Sequence, residues 1–415
     1  MKSLKHESIK TNQIIIDKKK IEEFLSRGIE NIYPSREFLL KLLQSGKKLK
    51  VYLGIDPTGP TLHIGHIVNL KNLQKFQDLG HQVIMLIGDF TARIGDPSDK
   101  LATRKPLTHQ QVLENAKLYQ EQASKILKFD GDNPAEIIFN SKWLDDLMFK
   151  DIIELASNFT VQQLLERDMF QERIKNGKPI SLHEFLYPLM QAYDSVFMDV
   201  DGEVGGNDQT FNMLAGRDLM KAMLKKEKFV LSGKLLTDPS GTKMGKTQGN
   251  MIALSDTPQD MYGKIMAQPD ELILPYYELV TDLSIKAIEK IEKKLEHGAN
   301  PRDIKADLAR EVVTMFYDKK DADKTAREFD KVFKDKAQPT DILEVKISGD
   351  KFKVADLLVE IGLVKSKSEA RRMVEQGGVK IDGKKIDDWE KEVKVKDGMV
   401  VSVGKRRFVK ITNKH

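Results

Sequence analysis

The chain has 415 residues, 40% hydrophobic and 32% charged, with no cysteine. That length suits two to four soluble domains, and the lack of cysteine excludes disulfides, thiolate zinc sites and a cysteine nucleophile. The longest apolar runs, such as residues 83–87, are too short for a bilayer, and the charged N-terminus lacks the apolar core of a signal peptide. A cytoplasmic protein with no membrane association is expected. Net charge is +5 but uneven: residues 346–415 hold 18 Lys plus Arg against 11 Asp plus Glu, so the excess sits in the tail and the rest is slightly acidic. A basic tail fits either a polyanion partner or a solvated surface.

In chain order, residues 1–48 read as a peripheral helical extension, with Ile21, Phe24 and Leu25 on one stripe and Phe38 to Leu43 on another. Residues 49–254 alternate. An apolar run at 51–55 ends in a Pro/Gly turn, a helical stretch follows with Ile67, Leu70, Leu73, Phe76 and Leu79 on one face, and a buried strand is expected at 83–87. Strand, helix and parallel strand make a βαβ unit, the building block of an open α/β sheet. Further strands are expected at 137–139, 203–206 and 229–236, with helices over 151–197 between them. Residues 255–335 read as a separate small helical bundle and 336–349 as a linker. Residues 350–415 read as a small α+β unit, with Val354, Leu357, Leu358 and Ile361 on one helix face and Ala370, Met373 and Val374 on another.

Five constellations carry chemistry. Asp56-Pro-Thr58-Gly-Pro-Thr-Leu-His63-Ile-Gly65-His66 lies where a strand gives way to a helix. A helix start offers unpaired N–H groups and a positive dipole end, Gly65 lets a ligand approach the backbone, and two histidines three apart can both face a phosphate. A metal site would need a third ligand, and none stands at a helpful spacing. Lys243-Met244-Gly-Lys246-Thr247 follows a strand and a turn; it nearly matches a P-loop but has Ser240 where that motif wants glycine, so a loop carrying two lysines to a triphosphate fits better. Tyr187, Gln191 and Asp194 sit at i, i+4 and i+7, one polar helix face among Phe185, Leu189 and Met190. Val204-Gly-Gly206-Asn-Asp208-Gln209 follows a strand and opens a helix; its paired glycines permit close approach of a nucleotide, and Asp208 suits a ribose. Ile94-Gly-Asp96-Pro-Ser-Asp-Lys100, with Arg104 beyond, is a turn and a basic loop.

In this order and spacing the segments resemble the class I aminoacyl-tRNA synthetases. His63-Ile-Gly65-His66 is similar to their HIGH motif and Lys243–Thr247 to their KMSKS loop. Gly54-Ile-Asp56-Pro-Thr58, Ile94-Gly-Asp96-Pro-Ser98, Gln191-Ala-Tyr-Asp194 and Gly205-Gly-Asn-Asp208-Gln209 narrow the resemblance to bacterial-type tyrosyl-tRNA synthetases. It implies a Rossmann-like parallel-sheet catalytic domain, a helical anticodon-binding domain and a small RNA-binding domain like one in a ribosomal protein. It also implies formation of an adenylate from L-tyrosine and ATP, transfer to tRNA(Tyr), a homodimer, and Mg2+ carried by the ATP phosphates with no dedicated protein metal site. Tyr52 and Asp194 would hold the phenol hydroxyl. Tyr187, Gln191 and Asp96 would hold the α-amino group, and Gln209 would meet the carboxyl end. Gly54, Asp56, Gly65, Gly206, Asp208 and Met244 would surround the nucleotide. Thr58, His63 and His66 would face the phosphates, with Lys100, Arg104, Lys243, Lys246 and Thr247 closing on the pyrophosphate. Asn140 and Trp143 would stand behind the pocket. Lys365, Lys367, Arg371 and Arg372 would lie on the RNA side of the tail. Gly245 and Thr247 replace the serines of the KMSKS form, and Asn207 stands where Ser or Thr is usual. A tryptophanyl relative shares the ATP motifs but has no need of Tyr52 with Asp194; a non-catalytic RNA-binding relative has no need of both histidines and both loop lysines.

Overall fold

The structure is a computed structural model describing residues 14–95, 107–237, 251–333, 343–404 and 407–413. It divides into two compact units, one ending at Ala322 and one beginning at Asp323.

The first unit is built on a six-stranded sheet of β1 (Ile29–Tyr33), β2 (Lys50–Ile55), β3 (Gln82–Ile87), β4 (Glu136–Phe139), β5 (Gly202–Gly206) and β6 (Phe229–Gly233). Their order across the sheet is β1-β6-β5-β2-β3-β4. Strands β2 to β6 are mutually parallel, and β1 closes the edge antiparallel to β6. The near-continuous apolar runs of β2 and β3 follow from burial on both faces, as a doubly covered parallel sheet requires. The chain builds outward from β2 through β3 to β4, then returns to lay β5 on the other side of β2. The crevice at the carboxyl ends of β2 and β5 is thus the switch point where open α/β sheets bind ligands.

Three helices frame that crevice: α1 (Ile64–Asp78), α2 (Leu182–Met198) and α3 (Thr210–Leu224). The face of α1 that carries Phe76 packs under the sheet, where its ring stacks on Phe229 at 5.5 Å and meets Phe24 edge-on at 4.8 Å. The expectation of helices alone before residue 49 is corrected. Helices form at Lys18–Leu25 and Arg36–Gln44, but β1 lies between them and belongs to the sheet. The strand expected at 229–236 ends at Gly233. The helices from Pro258 to Phe316 fall within the first compact unit rather than forming a separate one. Arg27 ties them to the N-terminal region by donating to the carbonyls of Tyr277, Glu278, Thr281 and Leu283 at the end of the helix Ile273–Val280.

In the second unit, β7 (Leu343–Ile347), β9 (Val379–Ile381), β10 (Lys384–Lys385), β12 (Val400–Val403) and β13 (Arg407–Asn413) form a sheet in the order β10-β9-β12-β13-β7, while β8 (Lys351–Lys353) pairs β11 (Glu392–Lys394). The helices Val354–Glu360 and α4 (Lys367–Glu375) bury Leu357, Leu358, Ala370 and Val374 in an apolar core with Val401 and Ile411.

Candidate functional site

The turn after β2 is braced from outside. Asn115 donates to Pro57 O at 2.9 Å, Tyr119 Oη to Gly59 O at 2.7 Å and Gln122 Nε2 to Pro60 O at 3.1 Å, while Gln122 Oε1 accepts from Leu62 N at 2.7 Å. This rigid turn delivers the chain to α1, whose N-cap is His63. His63 Nδ1 accepts from the Gly65 N–H at 3.2 Å, and His66 Nδ1 accepts from the His63 N–H at 3.0 Å. Each Nδ1 is therefore an acceptor, so the neutral rings carry their protons on Nε2, as donors suited to phosphate oxygens. The two rings lie 3.9 Å apart between centroids. Residues 251–254 return beside this start: Ile64 N donates to Ile252 O and Leu254 N to Leu62 O, both at 2.9 Å. The described chain thus resumes at residue 251 against the histidine segment. Lys243, Met244, Lys246 and Thr247 lie outside the described residues, as do Asp96, Lys100 and Arg104.

The polar face of α2 turns toward the carboxyl ends of β2 and β5. Tyr187 Oη donates to Asp56 Oδ2 at 2.9 Å, and Thr91 Oγ1 donates to Asp56 Oδ1 at 2.7 Å. Gly88 makes room for that carboxylate, since a Cβ there would fall 1.9 Å from Asp56 Oδ1. Deeper in, Asp194 accepts from Trp143 Nε1 at 2.8 Å and Asn140 Nδ2 at 3.3 Å. Asp194 and Tyr52 are both buried, and burial pushes both groups well above their ordinary pKa values. Tyr52 Oη shares a hydrogen bond with Ser195 Oγ at 2.9 Å. Gln191 Nε2 donates to Glu203 Oε1 at 3.1 Å, which leaves Gln191 Oε1 buried with no partner among the described residues.

On the nucleotide side, Asp208 and Gln209 sit in the short turn Asn207–Gln209 that opens α3; Asp208 and Thr58 are exposed, and Gln209 Oε1 accepts from Asn212 Nδ2 at 2.8 Å. The paired glycines serve the protein's own packing: a Cβ at Gly205 would meet Met213 Sδ at 2.7 Å and one at Gly206 would meet Asp208 Oδ1 at 2.4 Å. Sequence reasoning missed Thr91, Gly88, Ser195, Glu203 and Lys228. None stands in a motif, and their roles appear only once the sheet is assembled. In the second unit Lys365, Lys367, Arg371 and Arg372 are all exposed on and beside α4; Lys367 pairs with Asp356, and Arg371 pairs with Glu375 at 2.7 Å and lies over the Trp389 ring.

A parallel sheet with a polar helix face and paired imidazoles at its switch point defines a nucleotide-dependent enzyme of the class I synthetase type. Residues 44–334 match the family model of tRNA synthetases class I (W and Y), and the chain belongs to that family, in its tyrosine branch. Residues 333–411 match the tyrosine–tRNA ligase SYY-like C-terminal domain. The chain is similar to the tyrosine–tRNA ligases of Carboxydothermus hydrogenoformans (46% identical, over 94% of this chain and 97% of that protein) and Thermotoga maritima (47%, over 94% and 96%). Among solved structures it resembles in fold the truncated Coccidioides posadasii mitochondrial tyrosyl-tRNA synthetase, with TM-score 0.60 and 23% identity over 74% of this chain and 91% of that one.

Proposed function

We propose that the chain joins L-tyrosine to ATP, releasing pyrophosphate, and then passes the tyrosyl group to the 3′ end of tRNA(Tyr). The observation that carries the tyrosine half is the buried Tyr52 beside an Asp194 carboxylate held by two fixed donors. A phenol hydroxyl needs one donor and one acceptor, and Tyr52 and Asp194 supply them. The unpartnered Gln191 Oε1 suits an α-ammonium, alongside Tyr187 and Asp96. Asp56, gripped by Thr91 and Tyr187, orients this end and the adenylate beyond it; Gln209 meets the carboxyl group and Asp208 the ribose, with Gly54, Gly65, Gly206 and Met244 around the nucleotide.

The tyrosine carboxylate attacks the α-phosphorus. A bond forms between a carboxylate oxygen and the phosphorus, the phosphorus bond to the bridging oxygen breaks, and pyrophosphate leaves; Mg2+ on the ATP phosphates would add charge neutralisation there. A carboxylate is already a nucleophile, so the protein's task is to position the reactants and stabilise phosphate charge as it moves. The Nε2–H donors of His63 and His66, with Thr58, act at the phosphates, and Lys100, Arg104, Lys243, Lys246 and Thr247 act on the departing pyrophosphate. A ribose hydroxyl of the tRNA then attacks the tyrosyl carbonyl and AMP leaves. The basic face of α4 and Lys365 takes the RNA backbone. The exposed apolar residues Met148, Phe149, Ile153, Val161 and Leu182 support pairing of two copies through the helical insertion, and the reaction belongs to the cytoplasm. Among the described residues no helix is long and apolar enough to cross a membrane.

ATP–pyrophosphate exchange with tyrosine, phenylalanine and tryptophan tests the reading. Exchange driven by tyrosine is expected; exchange driven by tryptophan alone, or by no amino acid, would overturn it. Tyrosine ligases among the relatives support this reading over the tryptophan alternative.

A further inference from the structure

Behind the amino-acid pocket lies a buried ion pair that the chemistry above does not use. Lys228 and Glu203 are 0% and 2% exposed at their side chains and bond directly to each other. Burying two charges is costly, and such a pair is weak evidence of stability in itself, so its position carries the meaning. Lys228 Nζ also donates to Ser195 Oγ at 2.8 Å, and Ser195 shares its hydrogen bond with Tyr52 Oη. Glu203's other oxygen accepts from Gln191 Nε2. One continuous chain of polar contacts therefore runs Tyr52, Ser195, Lys228, Glu203, Gln191. The opposite helix leaves space for it: a Cβ at Gly216 of α3 would fall 2.7 Å from Lys228 Nζ and 2.9 Å from Ser195 Oγ.

We infer that Lys228 and Glu203 are positioning residues that set the hydrogen-bond polarity at both ends of the bound amino acid. The inference rests on the reading that Tyr52 and Gln191 face the substrate. An ionised carboxylate only accepts, and an ammonium only donates. Glu203 therefore turns the Gln191 amide so that its NH2 points inward and its oxygen is left for an ammonium. Lys228 occupies a lone pair of Ser195, whose own proton goes to Tyr52 Oη. Tyr52, which also hydrogen-bonds to Glu203, turns its proton from that carboxylate to a substrate phenol oxygen when tyrosine binds, while Asp194 accepts the phenol's hydrogen bond. Lys228 also bonds directly to Glu203 and holds that carboxylate in place, so the amide keeps one orientation.

The test compares wild type with Glu203→Gln, with the charge-free double variant Lys228→Met/Glu203→Gln, and with Gly216→Ala, which keeps every polar group but presses on the ammonium. ATP–pyrophosphate exchange is measured with tyrosine, and binding is measured by calorimetry for tyrosine, phenylalanine and 3-(4-hydroxyphenyl)propanoate, which lacks the amino group. Glu203→Gln is expected to raise the tyrosine KM about 10-fold with kcat and the ATP KM little changed, and to shrink the affinity lost on removing the amino group by a similar factor. The double variant should also narrow the preference for tyrosine over phenylalanine, and Gly216→Ala should show the same pattern more weakly. Folded variants whose tyrosine KM and analogue ratios match wild type would overturn the inference, as would an equal loss for all three ligands. Wild-type exchange that ignores tyrosine would overturn the functional reading and this inference with it; tyrosine-dependent exchange with unchanged ratios would overturn the inference alone.

Discussion

Both units of this chain bury an apolar core, but they differ in the polar groups buried with it. Beneath the first sheet lie Asp194, Glu203, Lys228, Asn140 and His81, while among the described residues from 343 onward only Ser402 is a buried polar side chain. The second unit packs Val354, Leu357, Leu358, Val401 and Ile411 inside and, among the described residues, leaves its lysines and arginines at the surface. A small ligand with a hydroxyl and an ammonium must be met by fixed, desolvated partners. A polyanion is met by exposed cations, whose stability cost is slight. The contrast supports the proposal that the amino acid is read in one core and nucleic acid on the other surface.

The comparison breaks first at Asp194. Asp194→Ala removes the phenol's acceptor and strips the Trp143 N–H of its partner, while Asn140 keeps Thr91 and Phe90, so kcat/KM for tyrosine in pyrophosphate exchange should fall roughly 1000-fold, about 4 kcal/mol, with the ATP KM little affected. A loss under tenfold would mean that this core does not read the substrate. Next comes the apolar core of the second unit. Leu358→Ala should cost that unit about 3 kcal/mol, visible as a lower-melting transition, while exchange stays at the wild-type level; a parallel loss of exchange would show that the units do not divide the work.

Acid sharpens the same contrast. Burial pushes His81 down to about 4, below its ordinary 6.5. The unfolded chain then binds a proton that the folded one refuses, so stability is present above pH 6.5 and is lost as pH falls from 6.5 toward 4. About 2 kcal/mol of the first unit's stability should go between pH 7 and pH 5, read as a falling melting temperature, and His81→Gln should flatten that slope. The smallest effect is on the tail. Arg371→Ala with Arg372→Ala should raise the KM for tRNA about 10-fold and reduce the salt slope by about one for each phosphate no longer neutralised, leaving exchange untouched; an unchanged salt slope would place the RNA elsewhere.

The sequence carried much of the fold because its parallel strands are apolar runs and α1 keeps a strict helical face. It carried the Tyr187, Gln191 and Asp194 face because that spacing belongs to one helix. Strand β1 was not legible: Ile-Glu-Asn-Ile-Tyr has no clean alternation, and its half-buried pattern comes from pairing with β6 at the sheet edge. Lys228 was hidden for another reason. It ends the run Lys225-Lys226-Glu227-Lys228, which looks like a solvated turn. Only the entry into β6, next to Phe229, decides which of those charges goes inside.

The pairing of β1 with β6 also orders events during synthesis. Ile29 faces Gly233, so the first strand made must wait for the last strand of its sheet. At 5–20 residues per second the ribosome takes roughly 10–40 s to cover that stretch. Throughout that interval β1 waits with its sheet neighbour missing, an edge that only the completed sheet can cover.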